Sequence, residues 1–116
     1  MKIAINKCYG GFHLSDKANK RLIELGVKYF DDLSKVDYYD GVYVARWEEF
    51  GDKYTNNFSD YENRTNSLLI QTIEELGKEA NGRFGKISIV DIPDDVDWEI
   101  DDYDGIETVR EKHRCW

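Results

Sequence analysis

The stretch Lys2-Ile3-Ala4-Ile5-Asn6-Lys7-Cys8-Tyr9-Gly10-Gly11-Phe12 alternates as a half-buried strand does, then turns at two adjacent glycines. Ser15-Asp16 follows and opens a helix. This reading predicts a strand over residues 2–9 and a helix over about 15–25, capped by Ser15 or Asp16 and stopped by Gly26. Leu14, Ala18, Leu22 and Leu25 form its apolar stripe. Glycines without a Cβ let the backbone turn sharply and let a ligand approach the main chain. Tyr9 and Phe12 flank them. The group is either a cradle for a planar, phosphate-bearing molecule or a tight strand-to-helix corner.

Outward from that corner the elements alternate. Residues 27–30 read as a second strand, 31–41 as a polar loop and 42–47 as a third strand. Residues 48–61 are acidic and irregular, with Tyr54, Phe58 and Tyr61 of no assigned role. Leu69, Ile73, Leu76 and Ala80 share a face of a second helix, interrupted by Thr72. Thr65 or Asn66 caps it, and Gly77 or Asn81-Gly82 ends it. Residues 86–92 form a strand and Pro93-Asp94-Asp95 a turn. Val96, Trp98 and Ile100 then alternate with Asp97 and Glu99 as a one-faced strand. After a turn at residues 103–105, a short terminal helix is expected over 106–113. The fold class is α+β: an antiparallel or mixed sheet of about four to five strands with two main helices and a short C-terminal helix.

The 116 residues are length for one domain, 1–116, with a core that needs no staples. One proline and no Ser/Gly-rich tract argue against linkers. The start carries no secretory pattern, and no stretch approaches the ~18 apolar residues that span a bilayer. Neither membrane insertion nor secretion is expected. The two cysteines, Cys8 and Cys115, are expected reduced in a cytoplasm, although a bridge between them is open.

The net charge of −8 is local. Residues 91–104 hold 8 acids and no base, which leaves 16 acids against 16 Lys and Arg elsewhere. The basic footprint of a DNA-binding protein is missing. An acidic face of this density has three readings: a solvated strand face, a calcium loop, or a mimic of DNA phosphates that blocks a host protein. The calcium loop fails, because position six from Asp97 is Asp102 and position twelve is Thr108.

No catalytic constellation stands out, and the chain is read as a non-enzyme. Cys8 with His13 or His113 lacks a third orienting group and sits in an apolar strand pattern. No C-x-x-C or H-x-x-x-H pair calls for zinc, and no dinucleotide or Walker A spacing calls for a cofactor. The arginines are more informative. Arg64 and Arg83 bracket the second helix, and Arg110 and Arg114 lie in the C-terminal segment. Arginine forks match phosphates, and Phe84, beside Arg83, or Trp116, near Arg114, offers a stacking face. The plainer reading is surface solubility, with Arg110 paired to Glu107 along the terminal helix.

Several blocks resemble a widespread family of small bacteriophage and prophage proteins. These are residues 2–12, Glu74-Glu75-Leu76-Gly77-Lys78-Glu79-Ala80-Asn81-Gly82, the run from Ile89 to Ile100, Tyr103-Asp104-Gly105-Ile106-Glu107, and Glu111-Lys112-His113-Arg114-Cys115-Trp116. Within that set the chain looks most like the anti-Thoeris sponge proteins. Residues 27–61 have no part in the likeness. The resemblance implies a protein that sequesters cyclic ADP-ribose isomers, the alarm signal of host TIR-domain proteins, and releases them unchanged. It also implies binding of cyclic oligonucleotides in some members, and assembly into homodimers or larger homo-oligomers in the host cytoplasm. It assigns no binding residue to a fixed position. A diphosphate and an adenine want arginines, aromatic faces and backbone N–H groups at a glycine turn. Tyr9, Phe12, Arg64, Arg83, Phe84, Arg110 and Arg114 are therefore the candidate ligand residues.

Overall fold

Ile3, Ala4, Ile5 and Asn6 are all buried, so the first strand is covered on both faces rather than one. The computed structural model describes residues 1–36, 40–49 and 52–112. In chain order they form β1 (Lys2–Asn6), α1 (Asp16–Glu24), β2 (Tyr29–Phe30), β3 (Val44–Glu49), β4 (Asp52–Asn56), α2 (Ser67–Leu76), β5 (Ile87–Asp91), β6 (Trp98–Tyr103) and β7 (Ile106–Glu111). Short 3-10 turns occupy Leu33–Lys35, Tyr61–Asn63 and Gly77–Ala80. The class is mixed α+β.

In place of the expected single sheet of four to five strands, the described residues form seven strands in three small sheets: β1–β5, β2–β3–β4 and β6–β7. β1 pairs antiparallel with β5 on one edge only. On its other edge the Ala4 N–H donates to the Arg64 carbonyl at 2.9 Å, and the Asn6 N–H donates to Glu107 Oε1 at 2.8 Å. A turn and a carboxylate thus occupy the edge where another strand would continue the sheet.

Both predicted helices form with their predicted caps. Ser15 Oγ accepts from the Ala18 N–H at 3.1 Å, donates to the Glu79 carbonyl at 2.6 Å, and so ties α1 to the 3-10 turn that follows α2. Asn66 Oδ1 accepts from the Leu68 and Leu69 N–H groups, and Gly77, at φ 56°, stops α2. Thr72 sits in the buried stripe because its Oγ1 donates to the Leu68 carbonyl at 2.8 Å. Ala18, Leu22, Val44, Phe58 and Leu69 meet in the core with no exposure, which gives Phe58 its role.

The helices are also tied at their surface. Arg21 Nε donates to Glu75 Oε2 at 2.7 Å, and Gln71 donates to Glu75 Oε1 at 3.0 Å. Those bonds, the Arg21 bond first, lower the Glu75 carboxyl from an ordinary 4.5 to about 2. The depressed value means the tie is complete above pH 4.5 and is lost as pH falls toward 2. Carboxyl-detected NMR titration should give Glu75 a midpoint near 2; a midpoint near 4.5 would mean the tie does not persist in solution.

Two further expectations are corrected. The segment read as irregular contains β4, antiparallel to β3. The segment read as a terminal helix is β7 over Ile106–Glu111, while residues 113–116 lie outside the described chain. Asp104 at φ 50° and Gly105 at φ 87° reverse the chain, as paired positive-φ residues do in a two-residue hairpin. β6 then supplies a complete antiparallel partner, with Tyr103 opposite Ile106 and Trp98 opposite Glu111. That ladder outweighs the helical spacing of Ile106 and Val109.

Candidate functional site

Three segments converge where β1 ends. The Lys7 N–H donates to the Lys86 carbonyl at 2.8 Å, which extends the β1–β5 register by one step. The Cys8 thiol donates to the Phe84 carbonyl at 3.0 Å. Gly10, at φ 117°, lies so near Phe84 that a Cβ there would fall 2.9 Å from its Cβ and its carbonyl oxygen. The hairpin tip closes from the third side: a Cβ on Gly105 would fall 2.5 Å from the Gly11 nitrogen. Only glycine permits these backbone approaches.

The most exposed large hydrophobic side chains among the described residues gather on these segments. Tyr9 is 66% exposed, Phe84 66% and Tyr103 74%; Trp47, Tyr61 and Leu33 stand at 47% or less. Arg83 lies with its guanidinium carbon 5.5 Å from the Phe84 ring centroid. Lys7, Arg83 and Lys86 are all exposed. Lys7 and Lys86 face one another across the extended ladder, and like charges directly opposite are destabilising. Three exposed cations and three exposed rings thus lie on the segments that converge here, in a chain whose net charge is −8.

A second cluster lies beneath the turn. Arg64 is 1% exposed, and its guanidinium stands 3.8 Å from the Phe12 ring centroid. All five of its N–H donors are engaged: Nε to the Phe58 carbonyl, one terminal nitrogen to Ala4 O and Glu107 Oε1, the other to Ser59 O and Glu107 Oε2. The ion pair closes at 2.5 Å between partners 1% and 3% exposed. A cleft of about 350 Å³ opens over the pair, walled by Phe12, Ser59, Asp60, Tyr61 and Asp102. Burial, with Asp102 and Glu107 nearby, raises the Tyr61 phenol above its ordinary value.

The candidate ligand residues therefore separate. Tyr9, Arg83 and Phe84 come together on the outer corner. Phe12 and Arg64 meet in the inner cleft, where Arg64 has no donor left for a ligand. Arg110 Nε donates to Glu99 Oε1 at 2.8 Å across the β6–β7 hairpin. It lies four residues along β7 from Ile106, about 13 Å at strand spacing. The expected Arg110–Glu107 pair is replaced by Arg110–Glu99 and Arg64–Glu107, because residues three apart on a strand point to opposite faces, whereas Glu99 lies directly across from Arg110. Arg114 lies outside the described residues.

Lys7, Lys86 and Tyr103 were not among the residues singled out by sequence. The signal for Tyr103 was present, since Asp-Gly between alternating segments marks a hairpin. Nothing local marks the lysines, which face one another only through the β1–β5 register. Another cleft, of about 830 Å³, runs along α2 past Ser67, Ile70, Gln71 and Glu74. It holds none of the candidates, and its lysine, Lys2, is paired with Glu74 at 3.0 Å.

Of the eight acids in 91–104, seven are exposed and Glu99 is half-buried. Among the described residues, no group of three or more His, Cys, Asp or Glu is placed to hold a metal ion, and no helix is long and apolar enough to cross a membrane. Comparison with protein-family models, curated proteins and solved structures gives no match.

Proposed function

We propose that this protein binds and sequesters a cyclic nucleotide signal of the cyclic ADP-ribose class without converting it, as a bacteriophage anti-defence sponge in the host cytoplasm. The observation that carries the reading is the outer corner, where the segments bearing the exposed rings Tyr9, Phe84 and Tyr103 and the exposed cations Lys7, Arg83 and Lys86 meet. Rings of this exposure offer stacking faces to a base, and the cations offer charge to a diphosphate. The positive-φ glycines bring main chain close to the same surface. A sponge must bury most of its ligand, and an open corner supplies one wall. A second copy of the chain supplies the other in this proposal, consistent with the homo-oligomer that the sequence resemblance implies.

The test is a thermal shift of the purified chain against cyclic ADP-ribose isomers and cyclic di- and trinucleotides, with mass spectrometry of the ligand recovered on heating. Ligand at a hundred times Kd adds about 2.7 kcal/mol, a rise of several degrees in Tm. A shift with intact ligand supports the sponge, and altered ligand means an enzyme.

A second reading has its own observation, the exposed acids of 91–104. Under it the protein is an acidic inhibitor of a host defence protein that binds DNA. It then shows no shift with any nucleotide, and captures its target in a salt-sensitive way.

A further inference from the structure

We infer that Asn6 is the positioning residue of the outer corner, the amide that sets its three segments in one register; the inference rests on the binding role proposed for that corner. Asn6 has no exposure, in a strand whose other buried members are Ile3, Ala4 and Ile5. A polar side chain there costs stability unless every polar atom is paired. Its Nδ2 donates to the Cys8 carbonyl and to the Gly105 carbonyl, each at 2.6 Å. Its Oδ1 accepts from the Lys86 N–H at 2.8 Å, with the Cys8 thiol at 3.7 Å. One partner precedes Tyr9, one follows the Arg83-Phe84 pair by two residues, and one lies two residues from Tyr103.

No other side chain of this size does the same. Aspartate keeps the acceptor and loses both donors. Leucine loses all three bonds and leaves two carbonyls and an N–H unpaired. Glutamine adds a methylene where the strand is already packed. The residue at position 6 is thus set by the surface above it rather than by the core around it. A surface held this way is ordered before the ligand arrives, which spares the ordering cost on binding.

The test compares the full chain with Asn6→Asp by NMR at pH 7 and titrates both with cyclic ADP-ribose. In the wild type the Asn6 side-chain amide protons should exchange slowly. In Asn6→Asp the Lys86 amide should stay protected, since its acceptor remains, while proximity between Gly11 and Gly105 is lost. Affinity should fall by about tenfold or more, the scale of a lost buried hydrogen bond. Acidification should return the hairpin contacts in the variant alone, because a protonated carboxyl regains one donor. Retained Gly11–Gly105 proximity in the variant at pH 7 would overturn the inference. So would wild-type amide protons that exchange like those of an exposed asparagine, a measurement that decides even if the variant fails to fold. The NMR changes without any wild-type affinity for cyclic ADP-ribose would uphold the positioning role and count against the ligand.

Discussion

Glu107→Ala is expected to destabilise the fold by about 3–5 kcal/mol, the range found when one partner of a buried ion pair is removed. The reason is what remains. Arg64 stays 1% exposed with two of its donors facing a cavity, and the Asn6 N–H loses its acceptor as well. An uncompensated guanidinium cannot escape by losing its proton, since arginine remains charged. Urea denaturation measures the loss, and a change below about 1 kcal/mol would show that the pair is open in solution. Replacing both partners at once should recover part of the stability, because well-packed apolar groups often equal a buried ion pair. The full loss in the single variant and its partial recovery in the double together separate a charge left unpaired from simple loss of packing.

Arg83→Glu combined with Phe84→Ala is expected to weaken cyclic ADP-ribose binding by at least about a hundredfold. A stacked base contributes about 1–3 kcal/mol, and a hydrogen bond to a charged group about 1.5–3 kcal/mol. Both residues are exposed, so the melting temperature without ligand should change little. Arg110→Glu is the comparison, since that residue sits along β7 away from the tip and pairs with Glu99. Calorimetric titration of the three proteins checks the set. Unchanged affinity in the double variant would remove the outer corner from binding. A loss in Arg110→Glu equal to that in the double variant would move the site along the hairpin.

The fold is legible in the sequence where the signals are local. Ser15 and Asn66 cap the helices as their side chains require, and Gly26 and Gly77 stop them with positive φ. β1 and β5 show in their apolar runs. β4 does not, because Asp52, Lys53, Thr55 and Asn56 are polar and its pairing with β3 is what makes it a strand. The segment from residue 106, expected to be a terminal helix, is β7 even though Ile106 and Val109 stand three apart, as on a helix. The Asp-Gly turn and the complete register with β6 decide otherwise.

The candidate site follows the same division. Tyr9, Arg83 and Phe84 were legible as residue types, and their neighbours in sequence are a glycine turn and a helix end. Arg64 was legible as an arginine beside a helix and nothing more. Its role came from Glu107, 43 positions away, which reaches it because the hairpin turns that face inward. By itself the sequence determined the class of fold, both helices with their caps, the corner at Gly10-Gly11 and the local placement of negative charge. These depend on backbone geometry and on spacing within one turn of chain. Only the tertiary structure decided that the sheet is three small sheets, that Lys7 faces Lys86, that Arg64 is spent on Glu107 and that Asn6 joins three segments. Each of those rests on a hydrogen bond or ladder between residues far apart in the chain, and such pairings are set by which edges and faces the packed core leaves open.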